Sequence, residues 1–284
     1  MKKWCSHELA TAVFLAMTRP QDLPDFDAPP VIEVVVGVQF PTIDKLCTAH
    51  VGAFWQRMRA NYPRVEDAPP LPAIYESLSE RPNSMEVSLL PLRRSYFLSQ
   101  DGVWVAQLQG NRLLHNWRKQ ASSDSYPRYE ACFDRFQAVW REFRAFLEEE
   151  KIPPPTASQL ELTYVNHIPF DRPIGSLADV GEVFPDIKWQ TARSFLPTPT
   201  GLRWSLNFDL PNQTGRLHVD VKTAVRAKDN TSLLVCELTA RGVPLDPDDD
   251  SFVAWFAQGR EWIVKGFADL TGQTVQRDVW QRVT

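Results

Sequence analysis

The chain has 284 residues, of which 43% are hydrophobic, with 16 Phe and 10 Trp. That is enough for a sizeable core, so two domains or one large α+β unit is expected. Charged residues make up 23% and the net charge is −4; this excludes a globally disordered chain and speaks against broad non-specific nucleic-acid binding, which needs clustered Lys and Arg.

Residues 1–28 read as an amino-terminal extension, a short helix or a loosely ordered segment. The apolar run of residues 10–17 makes a poor signal peptide, because His7 and Glu8 interrupt its approach and no small-x-small cleavage site follows. No apolar run approaches the length of a membrane span. Cys5, Cys47, Cys132 and Cys236 lie far apart, with no CxxC and no zinc-like spacing. Cys47 and Cys132 fall on apolar helix faces, where a thiol acts as a small hydrophobe. A reducing, cytoplasmic setting is expected.

Residues 29–170 read as the first folded half. Residues 31–40 (VIEVVVGVQF) are β-branched and nearly continuous in apolar character, as a central strand is. Residues 44–62 carry Leu46, Cys47, Val51, Phe54, Trp55 and Met58 at helical spacing. The prolines of residues 63–72 break that pattern. Residues 85–92 and 96–100 are extended, Asp101-Gly102 marks a hairpin, and residues 103–109 return as a strand. Tyr129, Cys132, Phe133, Phe136, Trp140, Phe143 and Leu147 form one apolar stripe, predicting a helix over 129–147. Residues 160–168 are a further strand. The order β-α-β-β-α-β is that of a ferredoxin-like unit.

Residues 171–284 predict a short helix near 177–184, antiparallel strands at 191–196, 202–210, 215–225 and 232–241, and a closing helix carrying Phe252, Trp255, Phe256, Trp262, Ile263, Phe267 and Leu270. The acidic run of residues 246–250 suits the positive end of that helix better than a metal. The expected fold is therefore α+β: a ferredoxin-like amino-terminal half and a carboxy-terminal antiparallel sheet packed on a helix. Residues 34–55 and 163–184 echo each other, each a strand ending in Phe and then a helix reaching Val-Gly, which points to a duplicated unit.

The chemistry concentrates between residues 103 and 129. Gln107 and Gln109 stand in a strand where apolar groups are usual. Arg112, His115, Asn116, Trp117, Arg118 and Lys119 follow, then Tyr126-Pro127-Arg128-Tyr129 at a helix start. Arg presents a planar donor fork suited to phosphate or carboxylate, and Trp117 and Tyr126 could stack on a base or pack a peptide. The other reading is a buried polar network tying this segment to Glu161 and Asn166. In residues 160–168, Glu161, Thr163, Val165 and His167 share one face and Leu162, Tyr164 and Ile168 the other. Glu161 and His167 lie about 20 Å apart along an ideal strand and cannot pair; Glu161 is expected to meet Arg112 across the sheet. His7, His50, His115, His167 and His218 show no metal-ligand spacing, and only His115 and His167 suit a general base. No Gly-rich phosphate loop, GxSxG or HExxH is present, so no catalytic residue, metal or cofactor is assigned.

Several runs carry a family resemblance: PxxEVxxxxxF at residues 30–40, Thr48-Ala49-His50 up to Phe54-Trp55, QxQxxRxxxNWR at Gln107, Gln109, Arg112, Asn116, Trp117 and Arg118, YPxY at residues 126–129, and ELTYxN at residues 161–166. From about residue 29 onward the chain resembles a family of bacterial proteins of sporadic distribution. The resemblance implies an accessory role, in phage defence or a toxin–antitoxin neighbourhood, and brings no reaction, substrate or cofactor. The leading expectation is a non-enzymatic recognition protein that binds a protein partner or ligand through Gln107, Gln109, Arg112, His115, Asn116, Trp117, Arg118, Lys119, Tyr126, Tyr129, Glu161, Tyr164, Asn166 and His167. The alternatives are an RNA-binding or RNA-processing protein with paired ferredoxin-like units and a small-molecule sensor with its pocket between sheet and helices.

Overall fold

The β-branched run at the start of the first half forms a central strand, β1 (Val31–Gln39). The computed structural model describes residues 23–72, 74, 76, 92–171, 174–188, 195–246 and 248–284. After β1 come α1 (Thr48–Met58), β2 (Arg64–Ala68), β3 (Arg94–Leu98), β4 (Trp104–Gln109), β5 (Arg112–Arg118), α2 (Arg128–Glu149) and β6 (Gln159–Pro169). The second half continues with a short 3-10 turn into α3 (Val180–Val183), then β7 (Arg203–Asp209), β8 (Gly215–Arg226), β9 (Thr231–Gly242), α4 (Asp249–Leu270) and α5 (Gln273–Asp278). The strands form one nine-stranded sheet in the order β2-β3-β4-β5-β1-β6-β9-β8-β7, with every pairing antiparallel. The sheet runs through both halves, because β6 pairs with β1 on one side and β9 on the other.

Side-chain alternation gives the sheet two unlike faces. Val34, Val36 and Val38 of β1, Leu162 of β6, Leu238 of β9 and Val219 of β8 share one face and are buried. The helices cover that face. Phe133 and Phe136 of α2 meet Phe252 and Phe256 of α4, and Phe54 of α1 packs on Phe97, Phe143 and Phe146. Residues 34–55 and 163–184, which echo each other in sequence, fall on β1–α1 and β6–α3.

The α+β class and an antiparallel sheet in the second half are as expected; that one sheet continues through both halves was not, and several local expectations need correction. The segment after Gln109 does not run towards a helix. It turns back at Gly110-Asn111 and becomes β5, inserted between β4 and β1. A polar sequence can hold this central position because one of its faces is covered by other polar groups. Residues 64–68 form β2 despite the flanking prolines, pairing with β3 at the sheet edge, where missing donors are tolerated. Cys47 is exposed at the N-terminus of α1 instead of on its apolar face. His50, three residues on, accepts the Cys47 N–H at 3.1 Å and so acts as a cap. Asp248 caps α4, accepting the Ser251 N–H at 2.6 Å, as the acidic run implied. The strand expected at 85–92 and the one expected at 191–196 lie mostly outside the described residues, as do residues 10–17; Phe195 and Leu196 are not in a strand. The last part of the extension is built into the fold: Asp27 and Ala28 donate to the carbonyls of Gln281 and Trp280, and Phe26 packs edge-on to Phe267 and Trp280.

Candidate functional site

The face opposite the described helices carries many of the polar residues that sequence singled out, and strand register places two of them, Gln109 and Arg112, in one transverse row with Gln39 and Gln159. Gln109 of β4 faces Arg112 of β5, Arg112 faces Gln39 of β1, and Gln39 faces Gln159 of β6. A segment carrying Leu71, Pro72, Ile74 and Glu76 crosses this row. Gln109 Oε1 accepts the Leu71 N–H at 2.9 Å while its Nε2 donates to the Leu71 carbonyl at 3.0 Å. Gln39 does the same for Ile74, donating at 2.7 Å and accepting at 3.2 Å. Gln159 donates to the Ile74 carbonyl at 2.6 Å and accepts the Glu76 N–H at 2.7 Å. Arg112 donates to Gln39 and, at 3.2 Å, to the Pro72 carbonyl. Each primary amide thus offers the donor–acceptor pair of a neighbouring strand's backbone, turned across the sheet.

The segment ends in a cluster of charges. Glu76 Oε1 lies 2.5 Å from His218 Nε2 of β8 and 3.5 Å from Arg241 of β9, and its other oxygen lies 4.0 Å from Arg216. A carboxylate only accepts, so His218 Nε2 carries its proton here; Nδ1 lies 2.6 Å from Asn207 Oδ1. Arg241 also holds Glu161 at 2.8 Å, so Glu161 meets Arg241 and not Arg112. Burial opposes the charge of Glu76, but the His218 hydrogen bond and the charges of Arg241 and Arg216 outweigh it and hold the carboxyl below its ordinary value. From β4 to β8 the sheet spans roughly 24 Å at about 4.8 Å per strand. Five residues of extended chain reach about 17 Å, and the side chains of Gln109 and Glu76 supply the remainder. Glu76→Gln should keep the amide contacts but lose the charge-assisted ones, costing about 1–2 kcal/mol in urea unfolding.

Arg112, Gln109, Gln107 and Asn116 are therefore not the walls of an open concavity. Gln109 and Arg112 are each 3% exposed beneath the crossing segment. Gln107 Nε2 donates to Asn116 Oδ1 at 2.7 Å, and Asn116 Nδ2 donates to Glu33 at 2.6 Å. Burial pushes the Glu33 carboxyl up, against the pull of Asn116 and Arg118. Gln107 Oε1 is buried with no partner among the described residues. Arg118 donates to the Gly102 carbonyl at 3.0 Å, and Lys119 is exposed.

His115 and Trp117 point to the opposite face, into the core. Trp117 is buried against Tyr126. His115 stacks on Trp104 and pairs through Nε2 with the Tyr62 hydroxyl at 2.8 Å. Burial, with the charge of Arg135 added, drives its pKa down from 6.5 to about 3. It cannot serve as an accessible base. His167 is half-buried, and desolvation followed by Arg226 lowers its pKa.

Tyr126, Tyr129, Tyr164 and Asn166 form a second, separate group, lining a cavity of about 70 Å3 between the sheet and helices α2 and α4. The Tyr126 and Tyr164 hydroxyls pair at 2.9 Å, and Asn166 donates to the Cys236 carbonyl at 3.1 Å.

Sequence reasoning missed Gln39, Gln159, Glu76, Arg216, His218 and Arg241 on one face and Arg260 on the other. Gln39 and Gln159 sit at strand ends, where a polar residue is ordinary. Arg260 gave a readable signal: it interrupts the apolar stripe between Phe256 and Ile263. Among the described residues no helix is long and apolar enough to cross a membrane, and no three His, Cys, Asp or Glu side chains gather as a metal set. The Cys132 thiol is pushed up to about 12 by burial, and burial also raises that of Cys236, so neither is a ready nucleophile. No protein-family model matches the sequence, and no curated protein does either.

Proposed function

We propose that this chain is a non-enzymatic recognition protein whose sheet face opposite the described helices captures an extended, acidic peptide segment of a protein partner. One observation carries this reading. Glutamines on β4, β1 and β6 bind the main chain of Leu71, Ile74 and Glu76, and the cluster of His218, Arg241 and Arg216 takes the Glu76 carboxylate. Main-chain contacts of this kind supply affinity without regard to side chain, and the cationic end supplies selection for acid. The chain's own segment then occupies the face in cis, and a partner would compete with it. The sheet order β4-β5-β1-β6, with α1 and α2 on one face, supports reading the amino-terminal half as a ferredoxin-like unit. The matching run β6-β9-β8-β7 with α4 supports a duplicated origin. The family resemblance adds an accessory bacterial setting. An RNA partner is less well supported, since Trp117 is buried and the net charge is acidic.

The test uses the full chain with Leu71, Ile74 and Glu76 replaced by Pro, which removes the three N–H donors and the Glu76 carboxylate, together with a fluorescent synthetic peptide of residues 69–78. Binding in the micromolar range is expected for this variant, weakened at least about tenfold by a further Gln39→Ala or Gln159→Ala, roughly the 1.4 kcal/mol of one hydrogen-bonded amide. The wild-type chain, with its face filled, should bind far more weakly. A folded variant that ignores the peptide would sink the reading.

A further inference from the structure

The sheet ends at β7 on one side and at β2 on the other, and the two edges are unlike. Strand β7 (RWSLNFD) keeps an unbroken register with β8 and contains no proline, lysine or bulge. Those are the devices that usually keep a free edge from pairing. The hydrogen bonds at its two ends fix which way its backbone faces. Thr223 N–H donates to the Leu202 carbonyl at 3.0 Å, and Leu210 N–H donates to the Gly215 carbonyl at 2.8 Å. Bonded pairs recur at every second residue, so Trp204, Leu206 and Phe208 bond to β8. Arg203, Ser205, Asn207 and Asp209 turn their N–H and C=O groups outward, and no hydrogen bond among the described residues reaches those groups.

The strand is complementary to itself. Laid antiparallel on a copy with Leu206 opposite Leu206, it sets Arg203 against Asp209, Trp204 against Phe208 and Ser205 against Asn207. In that register the outward-facing residues fall opposite one another, so each such pair can exchange two N–H···O bonds. The Arg203 and Asp209 side chains, 78% and 73% exposed, are free to reach across on the face opposite the helices. On the other face, Trp204 and Leu206 pack at the margin of the core and Phe208 is exposed, so pairing extends the apolar layer. Strand β2 (RVEDA) lacks this property. Laid on itself about its centre, it sets Glu66 against Glu66, and like charges directly opposite are destabilising.

We propose that β7 is the dimer interface of this protein, pairing antiparallel with β7 of a second copy about a two-fold axis at Leu206 and joining the two nine-stranded sheets into one. The axis stands perpendicular to the sheet, so the helices of both copies lie on one side and both amide rows on the other. A single strand pair is a small contact beside the roughly 1,200–2,000 Å2 of a standard interface, so a dissociation constant in the micromolar range is expected. The crossing segment takes no part in this contact, so dimerisation and peptide capture can fail separately.

Sedimentation velocity of the full-length chain between about 1 and 200 μM should show a monomer converting to a dimer. Ser205→Pro removes an outward donor that the fold itself does not use and should abolish the dimer. Asp209→Arg sets like charges against Arg203 twice over by symmetry and should weaken it about tenfold; adding Arg203→Asp restores opposite charges and should recover it. Val65→Lys, on the β2 edge, should change nothing. Register is read by cross-linking with copper phenanthroline after Cys5→Ser and Cys47→Ser. Leu206→Cys, facing its own copy at a distance a disulfide spans, should give a covalent dimer. Phe208→Cys, about 13 Å from its copy along the strands, should not. The proposal is overturned if the chain stays monomeric at 200 μM, if the dimer survives Ser205→Pro and Asp209→Arg unchanged, if Val65→Lys dissolves it, or if Leu206→Cys cross-links no better than Phe208→Cys. Should Ser205→Pro fail to fold, the charge reversal and its rescue decide.

Discussion

Acidification from pH 6.5 to pH 3 should remove about 4 kcal/mol of stability through His115 alone. The imidazole is buried against Trp104 and Tyr62, and desolvation, then Arg135, depresses its folded pKa from 6.5 to about 3. In the unfolded chain it titrates near 6.5. Below that pH the unfolded state binds a proton that the folded state refuses, so each pH unit costs about 1.4 kcal/mol until the folded value is reached. The stabilising contribution is thus present above about 6.5 and is lost on the way down. Glu76 adds in the same direction at lower pH: its folded value lies below 4.5, so its contribution is lost as pH falls through that range. Glu33 and Glu237 act oppositely, since burial raises their carboxyl values and protonation relieves the penalty. His115→Gln can keep a hydrogen bond to Tyr62 while removing the titration, and the remaining groups cancel in the comparison. Between pH 6.5 and 4.5, urea unfolding of the wild type should lose about 2 kcal/mol more than that of the variant. Equal losses would mean that His115 titrates normally and is not sealed in.

Gly242→Ala is the second large effect, expected at about 3–4 kcal/mol. Gly242 of β9 faces Gly215 of β8 at the open end of that hairpin, farthest from its turn. A Cβ at Gly242 would overlap the Thr214 carbonyl oxygen and the Gly215 Cα, both of them backbone. Gly215 is itself held at φ +146, so neither glycine can readily yield to the other. The Thr214 carbonyl also accepts the Val243 N–H at 2.9 Å and the Trp255 indole N–H at 3.0 Å; moving it aside breaks the tie between this hairpin and α4. Gly52→Ala is the contrasting case. A Cβ there meets nothing within 4 Å, and removing a glycine from α1 should stabilise by about 0.5–1 kcal/mol. Thermal unfolding of the two variants separates a steric glycine from an incidental one, and a mild Gly242→Ala would show that the strands are free to part.

The hydrophobic periodicity of the chain by itself determined the long helices, β1, β3, β4 and β6 to β9 in broad outline, the α+β class and the apolar face of β1. Those features follow from local rules: a period of 3.6 or 2 residues, caps and hairpin turns are written in consecutive positions. The Asp248 cap and the Asp101-Gly102 turn were readable for that reason. The polar cluster around Arg112 was legible as residue types. Its fate was not, because β5 sits between β4 and β1, and only pairing register sets Gln109, Arg112, Gln39 and Gln159 side by side. Register is a long-range property that no short stretch encodes. The same holds for Glu161, which found Arg241 on β9 in place of Arg112. Alternation, a local rule, sends His115 and Trp117 to the face opposite Asn116, but which face the helices cover is settled only when the layers pack. Tertiary structure alone decided that the crossing segment covers the amide row and that Tyr126, just before α2, Tyr129 of α2 and Tyr164 of β6 line one cavity.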